Sequence, residues 1–271
     1  MNEVKRMQPL LGTFVEISVI KTTQNPDHIQ ASITQAFHII STVHTLMSFH
    51  DPDSDLSQLN QANGKSIALH PWTLQVLRLA KLISIHSQHL FNCTVGGALI
   101  RQGALPEHKK SAITDYGNAD DIIINKKTAQ LSRSIHITLD GIAKGYAIDR
   151  AVSMLKKHGH HTGWINAGGD IRVFGDLSLP IQRRQTNGVL TTVTTVKNAA
   201  IATSCWQASY NPRFPALIIS TAAQTPSINI ATVQAHTAWR ADALTKVALL
   251  ATDAQRAALI MTLKGQLISE H

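Results

Sequence analysis

Ile137-Thr-Leu-Asp-Gly-Ile-Ala-Lys-Gly-Tyr-Ala-Ile-Asp-Arg150 carries one residue period into another through a single Asp-Gly step. Upstream, Ile135, Ile137 and Leu139 alternate with His136 and Thr138, a pattern that predicts a strand with one buried face. Downstream, Ile148, Ala151, Val152 and Leu155 recur at the spacing of an amphipathic helix. Asp140 can cap that helix, and Gly141 allows backbone to come close to something else. A helix start carries unpaired N–H groups and the positive end of the dipole, so it favours anions. Lys144 adds a full charge in the first turn and Gly145 removes a side chain there. Two readings fit these residues. One is a phosphate-binding corner; the other is an ordinary strand-to-helix turn with a surface lysine.

Working outward, 271 residues are enough for a substantial core in one large domain or two intimate lobes. With 44% apolar and 15% charged residues, the composition is globular. No apolar run approaches a bilayer's thickness. The N-terminal stretch has neither a signal-peptide core nor a lipidated-cysteine motif, so the expectation is a cytoplasmic protein unless a leader precedes it. Cys93 and Cys205 are too few for a disulfide framework or a thiolate metal site. The net charge of +8 raises nucleic-acid binding. The basic pairs Lys109-Lys110, Lys126-Lys127, Lys156-Lys157 and Arg183-Arg184 are scattered without aromatic neighbours, so no nucleic-acid or membrane partner is expected.

In chain order, strands are predicted over 12–20, 121–125, 128–132, 189–197, 200–203 and 228–233. Helices are predicted from the Asn25-Pro26-Asp27 turn, on the face Ile29, Ile33, Phe37, Ile40, Val43 and Met47, from His70-Pro71, and over 240–251. Leu56 and Leu59 form the inward side of a helix start in between. Phe91–Gly97 reads as a loop whose glycines could approach a ligand, and 101–118 as polar and irregular. Trp164–Gly175 reads as a glycine hairpin or as backbone that makes room for a cofactor. His158-Gly-His-His161 reads as exposed histidines ending a helix rather than as a metal site. The elements lack a βαβ rhythm and there is no internal repeat, so α+β is the expected class.

Seven stretches together resemble one family, the ApbE-type FAD:protein FMN transferases. They are Leu11-Gly-Thr-Phe14, Met47-Ser-Phe-His-Asp-Pro-Asp-Ser-Asp-Leu-Ser-Gln-Leu-Asn60, Phe91-Asn-Cys-Thr-Val95, Gly141–Asp149, Asn166-Ala-Gly-Gly-Asp-Ile171, Ile201-Ala-Thr-Ser204 and Ala241-Asp-Ala-Leu244. They run in family order from about residue 8 to 252. The resemblance implies a single flavinyltransferase domain over 1–271, of two lobes with mixed or antiparallel sheets, flanking helices and the ligand between the lobes. It also implies an Mg²⁺-dependent enzyme. FAD is cleaved, FMN passes to a Thr or Ser hydroxyl of an acceptor protein, and AMP is released. Such chemistry needs charge neutralised on phosphate oxygens and a hydroxyl in line.

Carried over residue by residue, Gly141 (through its carbonyl), Asp242 and Thr245 would hold the metal, as oxygen donors suited to Mg²⁺. Leu11, His50, Phe91, Asn92, Asp140 and Lys144 would contact FAD, and Asp242 and Lys246 would be the catalytic pair. Leu11 takes the place of a usual Met, His50 of a usual Tyr, and Asn92 of a usual Asp. Lys246 stands where the family places a metal-binding Thr, Thr138 where it has an Asp, and Cys205 where it has a Gly. Phe214-Pro-Ala-Leu-Ile-Ile-Ser-Thr221 lacks the family's proposed histidine base. The departures leave two expectations: a working transferase, with Lys246 taking part of the metal's role, or an FAD-binding module of the same fold without transfer.

Overall fold

The structure is a computed structural model that describes residues 3–20, 26–108, 113–184, 190–206, 218–221 and 225–268. Strands and helices are numbered in chain order. A seven-stranded sheet is built from β1 (Glu3–Leu10), β2 (Thr13–Ile20), β6 (Gly163–Ala167), β7 (Asp170–Phe174), β10 (Ala200–Cys205), β11 (Ile230–Ala235) and β12 (Gly265–Ile268), in that order. Every neighbouring pair is antiparallel. Period-2 side-chain alternation sorts its two faces. Val15, Ile17, Val19, Ile165 and Phe174 enter the main core, whereas Trp164, Val173 and Ile201 point the other way.

On the main-core face lie α1 (Pro26–Met47), α5 (Ala143–Lys157) and α6 (Ala238–Leu250), with α7 (Asp253–Thr262) at the β12 end. The opposite face is covered by a bulged ribbon of β8 (Ser178–Arg184) and β9 (Leu190–Lys197), through Leu177, Ile181 and Val196. A second lobe packs on α1. It contains α2 (Asp55–Gln61), α3 (Pro71–His86), α4 (Gly96–Arg101) and a small antiparallel sheet of β3 (Ile67–Ala68), β5 (Thr128–Leu131) and β4 (Ile122–Ile124). The α+β class is as expected. Among the described residues no helix is long and apolar enough to cross a membrane.

Several local expectations are corrected. Residues 135–139 belong to no sheet. Ile135, Ile137 and Leu139 are buried as the alternation required. Their backbone partners are a side chain and a loop. The Asn60 amide donates to the Ile137 carbonyl at 2.9 Å and accepts the Ile137 N–H at 2.8 Å. Thr138 N–H donates to the Cys93 carbonyl at 2.8 Å, and Gly96 N–H to the His136 carbonyl at 3.0 Å. Gly96 and Gly97 allow backbone to pack closely here: a Cβ on Gly96 would lie 2.8 Å from the His136 carbonyl oxygen, and one on Gly97 would strike Thr114. Of the terminal histidines, His160 is buried, with its ring centroid 5.3 Å from that of His28. In β2 the inward residues are Val15, Ile17 and Val19, while Phe14 faces solvent. Asn25, Lys109, Lys110, Val189, residues 214–217 and the side chains of Arg183 and Arg184 lie outside what is described.

Asn60 thus replaces a strand ladder for the segment that leads into α5. Asn60→Ala leaves a buried N–H and a buried C=O without partners, which costs about 2–4 kcal/mol. Urea unfolding should show a lowered midpoint at unchanged slope.

Candidate active site

The site is assembled where α5 and α6 cross. Gly145 makes the crossing possible: a Cβ there would lie 2.6 Å from the Trp239 Cα and would strike the Ala238 carbonyl. The contact is tied at two levels. Asp149, one turn further along α5, accepts the Ala238 N–H at 3.0 Å and the Trp239 N–H at 2.9 Å, so it caps α6 from outside that helix. Its carboxyl is pushed up to about 6 by burial, against the pull of those two amides, Arg172 and Arg240. Asp242, one turn into α6, reaches back and accepts the Gly145 N–H at 3.3 Å.

Asp242 is 1% exposed. The anion at the start of α5 is therefore the protein's own carboxylate, placed where the dipole and a free N–H favour it. Asp140 does not cap α5 as expected. The helix N-cap is Ile142, which makes no side-chain capping bond, and the Ala143 N–H goes to the Leu139 carbonyl at 2.8 Å. The Asp140 carboxylate instead accepts from the Thr138 hydroxyl at 2.9 Å. It keeps contact with solvent at the rim of the corner, yet protein crowds it. That desolvation raises its carboxyl, opposed by Thr138, His50 and Lys246 and reinforced by the like charge of Asp242.

Two lysines answer these carboxylates. The Lys144 ammonium lies 2.9 Å from Asp170, which is 3% exposed at the start of β7. Burial works against the Lys144 charge, but Asp170, Asp242 and Asp140 together outweigh it and hold its pKa above the ordinary value. Asp170 is raised to about 6 by burial and by Asp242, with Lys144 and Lys246 pulling the other way. The Lys246 ammonium contacts the Asp242 carboxylate directly and donates to the Asp242 carbonyl at 3.1 Å. Its stem lies along Gly141, whose absent Cβ would be 3.5 Å from Lys246 Cε and 3.3 Å from a ring carbon of Phe91. Phe91 comes from the second lobe, so Gly141 marks the junction of the two lobes.

Of the expected residues, Phe91, Asp140, Gly141, Lys144, Asp242 and Lys246 converge here, and the imidazole of His50 is close enough to act on the charge of Asp140. Leu11 reaches the site only through neighbours. It sits in the β1–β2 turn at φ 56°, and Thr13, the first residue of β2, packs on Gly168 in the turn that leads to Asp170. Asn92 and Thr245 point inward. The Asn92 amide donates to the Gly117 carbonyl at 2.9 Å and accepts from Thr94 N–H and Oγ1, which ties the 91–97 loop together. Thr245 is fully buried, with its hydroxyl 2.7 Å from both the Asp242 carbonyl and Ser204 Oγ. The roles of Asp170 and Asp149 were missed. The signals available were the Asp of Asn166–Ile171 and an Asp four residues after Gly145, on the same face of α5.

The charged groups thus gather at a helix crossing on one face of an antiparallel sheet, beside the second lobe of an α+β fold. Residues 11–268 match the ApbE family, and the chain belongs to it. It is similar to the FAD:protein FMN transferase of Klebsiella pneumoniae (strain 342), at 23% identity over 58% of this chain and 53% of the relative. It is also similar to the enzyme of that name from Vibrio cholerae, at 26% identity over 62% of this chain and 53% of the relative. The chain thus aligns with about half the length of these relatives. In structure it resembles the ApbE protein of Thermotoga maritima, with a TM-score of 0.81 at 19% identity, covering 98% of this chain and 93% of that one. The flavin transferase ApbE of Vibrio cholerae gives 0.81 at 21% identity, covering 97% and 92%.

The crossing makes a direct prediction. Gly145→Ala forces α6 away from α5 and costs about 1–3 kcal/mol of stability by overpacking. Urea unfolding should show the loss, which an alanine at a freely exposed helix position would not produce.

Proposed function

We infer that the chain, read over 1–271 as one flavinyltransferase domain, transfers FMN from FAD to a Thr or Ser hydroxyl of an acceptor protein. The observation that carries this reading is the pair of ammoniums, Lys144 from α5 and Lys246 from α6, meeting three carboxylates at the junction of the two lobes. The names of the family relatives support the same substrate.

In this reading the FAD pyrophosphate lies over Gly141, beside Phe91, with His50 and Leu11 toward the flavin. The acceptor hydroxyl oxygen attacks the phosphorus on the FMN side. A new P–O bond forms, the P–O bond to the AMP half breaks, and the hydroxyl proton ends in solvent. Charge builds on the bridging and terminal oxygens as that bond breaks. Lys144 and Lys246, fixed in place by packing, offset it without reorganising, which is the source of the acceleration. The residues present do not offer Mg²⁺ a site in this geometry: Lys246 already covers the Asp242 carboxylate and Thr245 is turned inward. No step is therefore assigned to the ion.

Incubation with FAD and a flavin-acceptor domain should add one FMN mass to the acceptor and release an equal amount of AMP. Tight FAD binding with neither product would identify the second reading, a binding module without transfer. Affinity should also follow pH. Asp170 is raised to about 6, so its negative charge is present above that value and lost below it. Protonation frees Lys144 and removes a repulsion, so FAD, whose pyrophosphate diester does not itself titrate in this range, should bind about tenfold more tightly at pH 5.5 than at pH 8. Asp170→Asn should flatten that profile near its acidic limit, as measured by calorimetric titration.

A further inference from the structure

Asp242 and Lys246 stand four residues apart in α6, so their side chains leave the same face. A carboxylate only 1% exposed has to be paired or neutral. Both Asp242 oxygens are already engaged, one by the Gly145 N–H and the other by the Lys246 ammonium. The Lys246 stem runs beside Gly141 and carries its ammonium onto the Asp242 carboxylate. Those are the two positions to which the family resemblance gives a divalent ion. The third expected donor, Thr245, spends its hydroxyl on the Asp242 carbonyl and Ser204. Of the three, only the Gly141 carbonyl remains, whereas Mg²⁺ needs an octahedral set of oxygens anchored by carboxylate. An ammonium and a divalent cation would also repel each other strongly across one carboxylate.

The geometry points to a metal-independent pyrophosphate site, in which the Lys246 ammonium supplies the positive charge that relatives of the fold would take from Mg²⁺ and donates to a phosphate oxygen of the dinucleotide. This rests on the FAD reading above. An ammonium has three N–H bonds. Two are spent on the carboxylate and carbonyl of Asp242, and the Lys246 side chain is 20% exposed, so the third can face the open side of the corner. Asp242 then serves as a positioning residue that holds the ammonium in place. A Cβ at Gly141 would touch the Lys246 stem at van der Waals distance and sit tightly, at 3.3 Å, against the Phe91 ring.

The test is a flavin-fluorescence titration of the full chain with FAD, once in EDTA and once in excess Mg²⁺. The dissociation constants should agree within about twofold. Lys246→Thr uncovers the Asp242 carboxylate. FAD binding by that variant should weaken by about tenfold or more in EDTA and recover with Mg²⁺. Electron paramagnetic resonance should detect Mn²⁺ bound by the variant and not by the wild type. Lys246→Arg keeps the charge and should remain indifferent to metal; with the wild-type titration it decides the matter if the Thr variant fails to fold by circular dichroism. FAD binding by the wild type only in Mg²⁺, or Mn²⁺ held at submillimolar concentration, overturns the inference and leaves the FAD reading standing. Failure to bind FAD in either buffer overturns both.

Discussion

The α5–α6 crossing at Gly145 places nearly every charged group of the corner. With no side chain at that position, the two helices meet backbone to backbone, and three tethers become short enough to form. Asp149 reaches the first amides of α6, Asp242 reaches the Gly145 amide of α5, and Lys144 is left to turn toward Asp170. None of these groups is adjacent in sequence to its partner. The helix pair brings residues about ninety apart to one place, and the sheet behind it, through β7, supplies the last carboxylate.

Burial then sets the electrostatics. Asp149, Asp170 and Asp242 lie where water reaches them poorly, and Asp140 at the rim is crowded by protein. Each must be compensated, because an unpaired buried charge costs several kcal/mol. The corner meets that need within the chain. Amides and Arg172 answer Asp149, Lys144 answers Asp170, and Lys246 with the Gly145 amide answers Asp242. Of these partners, Lys144 and Lys246 retain partial exposure, so they are the ones available to an anionic ligand.

Much of this was legible in the residues, and what was not has physical causes. The strand or helix character of β2, α1, α3, β6, β7 and α6 rests on local properties and reads directly, although β2 was recognised by its β-branched, apolar content and not by a clean alternation. The stretch 135–139 read as a strand because burial alternates along it. Pairing, however, is a tertiary fact, and here the partner is the Asn60 side chain. β1, β8, β12, α4 and α7 went unread; β1 is an edge strand with alternate residues only half buried, so its apolar contrast is weak. In the site, Lys144, Gly141 and Asp242 were found through motif resemblance. Asn92 and Thr245 belong to the same motifs but turn inward, because motif membership says nothing about which way a side chain points. The exchange at Lys246 stood out only against the family pattern, and its contact with Asp242 needed coordinates.

The account stands on the position of one ammonium. It is tested most directly by a crystal structure of the protein grown with FAD and Mn²⁺, with anomalous data collected to locate the metal. The account predicts Lys246 Nζ on the Asp242 carboxylate, within hydrogen-bonding distance of a phosphate oxygen, and no anomalous peak there. A manganese peak bridging the Gly141 carbonyl and the Asp242 carboxylate, with Lys246 swung away, would contradict it.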